Sequence, residues 1–323
     1  MLTAMHGPRP TTRPAYWSSF PFFAGAFCSL GIASVINLVN VTQAAQGSGL
    51  ALEAGDTLNV TLGLFGFLVP MALAMSARSL PMYAGLDGFP QRVLWPLAGL
   101  YFTAVILLCV GVDGGPLPMP WAGSIDGAGM ILLGGVVLLF VGIFLSLMRR
   151  RGKVPERVTK LAPSPKNLVQ TYQKQVKQER SHYGPFVALV ASAYLWAMLG
   201  ALLLLTDGGS LLVTGNELVS FDAVRHCFAL GFIALLICGV APRMLAGFSG
   251  REIVSPWLVS ATFWLGNAAA VLRVGSLLFA PLFAGSQGFA IDTLLFSLSG
   301  PCGLALAICL AINLWPMLCS SPG

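Results

Sequence analysis

Apolar residues run in long uninterrupted stretches along this chain, with neither the period of two expected of strands nor the 3.6-residue stripe of a surface helix. Eight stretches are each about as long as the roughly 20 residues that cross a hydrocarbon core. They fall near 20–42, 58–77, 93–112, 127–148, 185–206, 224–245, 255–279 and 293–316. Gly, Pro, Asp and Asn, the turn and cap residues, gather in the gaps between them. The pattern predicts an all-α polytopic membrane protein with about eight transmembrane helices.

Composition agrees. Hydrophobic residues make up 56% of the 323 and charged residues only 9%. A soluble domain is about one quarter charged, so lipid is the expected solvent for most of this surface. The net charge of +6 does not point to nucleic acid, because the basic residues cluster in one segment and beside span ends. One set of loops holds Arg9, Arg13, Arg78, Arg92, Arg243 and Arg251, together with the segment from Arg149 to Arg180. The opposite set is acidic, with Glu53, Asp56, Asp113, Asp126, Asp207, Glu217, Asp222 and Asp292. By the positive-inside rule both termini and the central linker are expected on the cytoplasmic side of a bacterial-type inner membrane. Seven cysteines lie in or beside the apolar runs without a CxxC pair, which reads as free thiols behaving as small hydrophobes. The proline-rich N-terminal residues lack the apolar segment of a cleavable signal peptide.

Shifting the chain by 165 residues lays the four spans of the first half on the four of the second without a gap. The best match lies between GLFGFLVPMALAMSARSLPMYAGL, which starts at residue 63, and CFALGFIALLICGVAPRMLAGFSG, which starts at residue 227, with Gly66-Phe67 on Gly231-Phe232 and Arg78 on Arg243. An even number of spans per half gives two parallel four-helix repeats. The expected organisation is a tail over 1–19, a first repeat over 20–148, a basic linker over 149–184, a second repeat over 185–316 and a short tail over 317–323. The linker is a candidate surface for anionic lipid headgroups as well as a topology signal.

Two basic residues break the charge pattern. Arg225 and Arg273 sit toward the acidic ends of the sixth and seventh spans, where an arginine is costly unless it faces the bundle interior or a counter-charge. His226 lies beside Arg225 and is one of three histidines in the chain. A neutral imidazole is a frequent ligand of haem iron and copper, and equally an interfacial side chain. The two arginines suit carboxylates such as haem propionates, or they pair with Asp222 and Asp292 in a structural network. His6 and His182 are expected on the cytoplasmic side, about 30 Å of hydrocarbon away. A second axial ligand from this chain would therefore be a methionine such as Met130 or Met198. Arg78, Arg243 and Arg251 form a separate group at the basic end. They offset helix C-termini there and are a candidate anion or lipid site.

The stretch from Arg225 to Arg251 resembles the NnrS family of membrane proteins. His226 precedes Arg243 by seventeen positions, and Arg243 is followed by MLA and GFSGR where the family pattern has GHTGR. NAAAVLRVGSLLF resembles the family's ALLRVL-type segment and places Arg273 on its intramembrane arginine. In the first half LFGF at 64–67 matches the end of a WHAHEMLFGF-type motif. The resemblance implies a polytopic helical scaffold with haem and copper and a role linked to nitric oxide. The chain departs from it by having fewer spans, by Phe248 in place of the GHTGR histidine, and by Asn59 and Thr61 at the first-half histidine positions. Asparagine and threonine are poor ligands for haem iron or copper, so copper is not expected. The implied cofactor is one b-type haem on His226, with Arg225 and Arg273 on its propionates. Three readings stand at this point: that haem protein, acting in nitric-oxide chemistry or electron transfer; a metal-free subunit or assembly partner of a membrane complex; and a transporter, which duplicated halves and glycine-rich spans allow.

Overall fold

The computed structural model describes residues 17–47, 49, 53–83, 89–112, 119–149, 184–249, 253–280 and 286–319. The basic linker, most of both tails, Arg251, His6 and His182 lie outside them. Among the described residues the fold is all-α, and eight helices are long and apolar enough to cross a membrane.

In chain order α1 is Phe20–Gln46. The second span, α2, joins Glu53–Thr61, Leu62–Leu68 and Val69–Tyr83. It is followed by α3 (Leu94–Gly111), α4 (Met119–Arg149) and α5 (Phe186–Thr214). The sixth, α6, joins Phe221–His226, Cys227–Ala234 and Leu235–Ser249. Last come α7 (Pro256–Phe279) and α8 (Ser286–Cys319). Every expected span lies on one of these helices, and most helices run further. Asp126 and Asp207, expected in loops, are consequently helical. Asp207 is fully buried and accepts from the backbone N–H groups of Leu218 (2.7 Å) and Val219 (3.1 Å), fastening the α5–α6 connection to α5. Gly215 ends α5 in the left-handed region (φ 72°) and donates its N–H to Leu211.

The middle segments of α2 and α6 are π-helical, and the 165-residue shift carries the first residue of one, Leu62, onto the first residue of the other, Cys227. In α2 a cause is visible. Pro70 has no N–H to donate to the previous turn and its ring displaces the carbonyl there, which favours a wider turn. A wider turn leaves carbonyls needing donors, and the buried Tyr101 hydroxyl of α3 donates to the Phe65 carbonyl at 2.6 Å.

Helix contacts repeat between the halves. α1 packs on α2 as α5 packs on α6, and α3 packs on α4 as α7 packs on α8. The most extensive contact of all is α4 against α5, which joins the halves. Glycines let those two backbones meet: a Cβ on Gly134 would stand 2.7 Å from the Ala201 carbonyl oxygen, and one on Gly208 2.7 Å from that of Gly127. Between the halves an aromatic layer fills mid-depth. Phe65 meets Phe228 edge-on (centroids 5.3 Å apart), Phe228 meets Phe232, and Tyr194 lies between Phe232 and Phe144.

Candidate functional site

The first turns of α6 carry the residues singled out in the sequence. Phe221 opens the helix, so Asp222, Arg225 and His226 fall on consecutive turns just ahead of the π segment. His226 Nδ1 lies 2.8 Å from the Asp222 carbonyl oxygen, and Arg273 Nε, reaching across from α7, lies 3.1 Å from His226 Nε2. A carbonyl only accepts and a guanidinium only donates. The ring is therefore the neutral tautomer with its proton on Nδ1 and its Nε2 lone pair turned to Arg273. The Arg273 guanidinium also stacks on the Phe296 ring of α8, 3.5 Å from its centroid. His226 and Arg273 thus tie α6, α7 and α8 together at one depth.

This geometry does not fit a haem on His226. The imidazole nitrogen that would bind iron receives the Arg273 N–H, and its other nitrogen is spent on Asp222. Of the two arginines offered to propionates, Arg273 is held by His226 and Phe296. Arg225 lies 3.7 Å from Asp222 and 5.0 Å from the centre of the Phe221 ring. The pairing of Arg225 with Asp222 is the structural alternative that the sequence left open. The companion pairing of Arg273 with Asp292 is not formed, and Asp292 Oδ1 has no hydrogen-bond partner. Among the described residues no three His, Cys, Asp or Glu side chains gather as a metal-binding group. An oxidised and dithionite-reduced optical spectrum of protein purified from haem-replete cells is expected to lack a Soret band. A band at one haem per chain that disappears in His226→Ala would overturn this assignment.

Arg225 has a second aspect. It lines a cavity of about 830 Å³ at the acidic end, set between the two halves. Thr57 and Thr61 of α2, Asp126 and Met130 of α4, Glu217 of the α5–α6 connection and Phe221 also reach this cavity. Arg225 Nε is buried and has no hydrogen-bond partner. Thr61 and Asn59 stand where the resemblance has histidines, and Thr61 is a buried wall residue rather than a ligand. Met130 lines the same wall, while Met198 is half-buried on α5. Below the cavity the Phe65–Phe228 pair closes the seam. Beyond it, toward the basic end, lies an apolar groove of about 310 Å³ lined by Leu68, Met71 and Met75 of α2 and by their repeat counterparts Ile233, Leu236 and Val240 of α6.

Arg78 is exposed on α2, and Arg243 stacks its guanidinium 5.1 Å from the Phe186 ring centre on α5. Arg251 lies outside the described residues. Sequence reading missed the cavity because its walls come from five separate segments, and only the acidic residues at span ends signalled polar surface there.

The fold and this site define an eight-span helical membrane protein built of two similar halves, with a polar cavity between them at the acidic end. No family model and no curated protein matches the chain.

Proposed function

We propose that this chain is an NnrS-like membrane scaffold that performs no metal chemistry of its own and recognises a small zwitterionic carboxylate, such as an amino acid, in the cavity between its halves, as a transporter does. It would sit in a cytoplasmic membrane with both termini inside, so that the cavity faces out. One observation carries the reading: Arg225, whose side chain is 23% exposed, stands on the wall of a cavity that Asp126 and Glu217 also line. A guanidinium on a cavity wall suits a ligand carboxylate, which it binds in the fork geometry it favours. The carboxylates of Asp126 and Glu217 favour a cationic group at the other end of the solute. Parallel repeats, a site at their interface and an aromatic barrier below it are features that transporters use.

The test is a thermal-shift series on detergent-purified protein with α-amino acids, acetate and inorganic phosphate. A ligand at a hundredfold excess over its Kd adds about 2.7 kcal/mol of stability. At least one amino acid is expected to raise the melting temperature of the native chain, and Arg225→Met should melt normally but lose that rise. If no amino acid shifts the melt, or Arg225→Met shifts equally, solute recognition by this cavity is wrong.

A further inference from the structure

A hydroxyl inside hydrocarbon has no water to bond and usually turns back on its own helix. Ser34, Thr103, Ser146, Thr262 and Ser297 do so, each donating to a carbonyl three or four residues earlier. Ser76 of α2 does not. It is 1% exposed and its Oγ has no hydrogen-bond partner. The Tyr194 hydroxyl of α5 lies beside it, fully buried, and closes no hydrogen bond either. A bond between the two would use one of their two protons and leave the other without an acceptor. A stranded donor at this depth is costly.

Ser76 stands on the wall of the apolar groove between α2 and α6. The groove opens sideways to the bilayer: Leu68, Met75 and Ile237 on its rim are exposed, while Leu80, Ile233 and Leu236 are buried. From Leu68 to Ser79 its α2 wall rises about 16 Å, roughly half the hydrocarbon thickness, so it spans the depth of one leaflet. Its side chains are apolar apart from Ser76 and Ser79, and Met71, Met75 and Met244 adapt to an irregular occupant. Both serines stand at its basic end. Arg78 lies between them in sequence, is exposed, and falls seven residues after Met71, on the same side of α2. Its repeat counterpart Arg243 is turned to Phe186. The order along the groove is therefore apolar, then hydroxyl, then guanidinium.

We infer that this groove holds one acyl chain of an anionic phospholipid from the basic-side leaflet. An ester carbonyl accepts from the Ser76–Tyr194 pair, and the phosphate lies beside Arg78. The ester carbonyls of such a lipid sit just inside its phosphate, as Ser76 sits about 3 Å inside Arg78 along the helix. Rotation about its single χ1 is all that Ser76 needs to point its proton along the groove. The exposed apolar sides of the other spans ask only for hydrocarbon. Here a buried donor lacks an acceptor and a guanidinium marks the headgroup level, so the occupant carries an acceptor and a negative charge. Basic pockets between spans bind anionic headgroups in this way on the cytoplasmic side. A neutral carbonyl compound would satisfy the hydroxyls but draw nothing from Arg78. The lipid lies in the seam between the halves, across the Phe65–Phe228 pair from the polar cavity, and does not depend on the solute reading.

Native mass spectrometry of the full chain, stripped of lipid in detergent, tests it. Dioleoylphosphatidylglycerol is expected to add as one tightly held molecule. It should bind about fivefold more tightly than dioleoylphosphatidylcholine, the gain that one arginine draws from anionic lipid. Arg78→Gln should remove that preference, and Arg92→Gln, at an exposed arginine just ahead of α3, should keep it. Ser76→Ala should weaken both lipids, yet melt no lower than the lipid-free native chain, because it removes a stranded donor. Met71→Trp fills the groove and should remove the tight adduct. Equal affinity for the two phospholipids, or equal effects of the two arginine variants, overturns the inference and leaves ordinary solvating lipid. Dioleoylglycerol held as tightly as phosphatidylglycerol overturns it too, as does inorganic phosphate held as tightly, which is an anion site without a groove. A lipid-free Ser76→Ala that melts well below the native chain shows a structural hydroxyl and also overturns it.

Discussion

Gly208→Leu is expected to abolish the stable folded state or to lower its melting temperature by many degrees, while Gly209→Leu, one residue on, leaves it nearly unchanged. The Cβ of residue 208 would lie 2.7 Å from the Gly127 carbonyl oxygen and 2.9 Å from the Met130 Cβ. The first of these is backbone and cannot rotate away. Relief requires α4 and α5 to separate, and theirs is the broadest contact in the molecule. Overpacking in a core costs about 1–3 kcal/mol and sometimes more. Here the upper end applies, because the same crossing also holds Gly134 against the Ala201 carbonyl. The neighbouring Gly209 has nothing within 4 Å of its Cβ position. Leucine there gains up to about 1 kcal/mol of helix propensity over glycine. Melting curves from intrinsic tryptophan fluorescence of the two variants in one detergent decide it. Equal behaviour would mean that the helix crossing does not hold the halves together.

The eight spans were legible because lipid demands one property, apolarity over a fixed length, and the chain shows it without interruption. The helix ends were less legible. Asp126 and Asp207 look like loop residues, yet α4 begins before the first and α5 runs past the second. A buried carboxylate was tolerable at position 207 because two backbone N–H groups of the following connection point at it. The π segments were not legible at all, since Gly66 and Gly231 fit an ordinary helix interface equally well.

The site divides the same way. That Arg225, His226 and Arg273 matter could be read from their cost at that depth. Their roles could not, because the distance between α6 and α7 is set by tertiary packing and decides whether His226 Nε2 meets a metal or an arginine. Thr61 of the first repeat lines the polar cavity, and His226 is bound into the helix packing of the second through Arg273.

The couple of His226 and Arg273 should behave as a unit in a double-mutant cycle. In His226→Leu the Arg273 Nε–H loses its acceptor at a depth where water is scarce. Hydrogen bonds to charged groups contribute about 1.5–3 kcal/mol, so a loss of that order in stability is expected. Arg273→Met leaves the His226 Nε2 lone pair unmatched and also removes the stack on Phe296. The double variant, His226→Leu with Arg273→Met, replaces both partners by apolar groups and leaves neither a charge nor a lone pair stranded. Its loss is expected to be smaller than the sum of the single losses by about 1–2 kcal/mol, within the range for residues in direct contact. His226→Gln, which keeps an acceptor on the same turn, should recover part of the loss seen with leucine. Additive losses would show that the two side chains contribute only separate packing. The joint between α6, α7 and α8 would then rest on the Arg273–Phe296 stack and the apolar contacts around it.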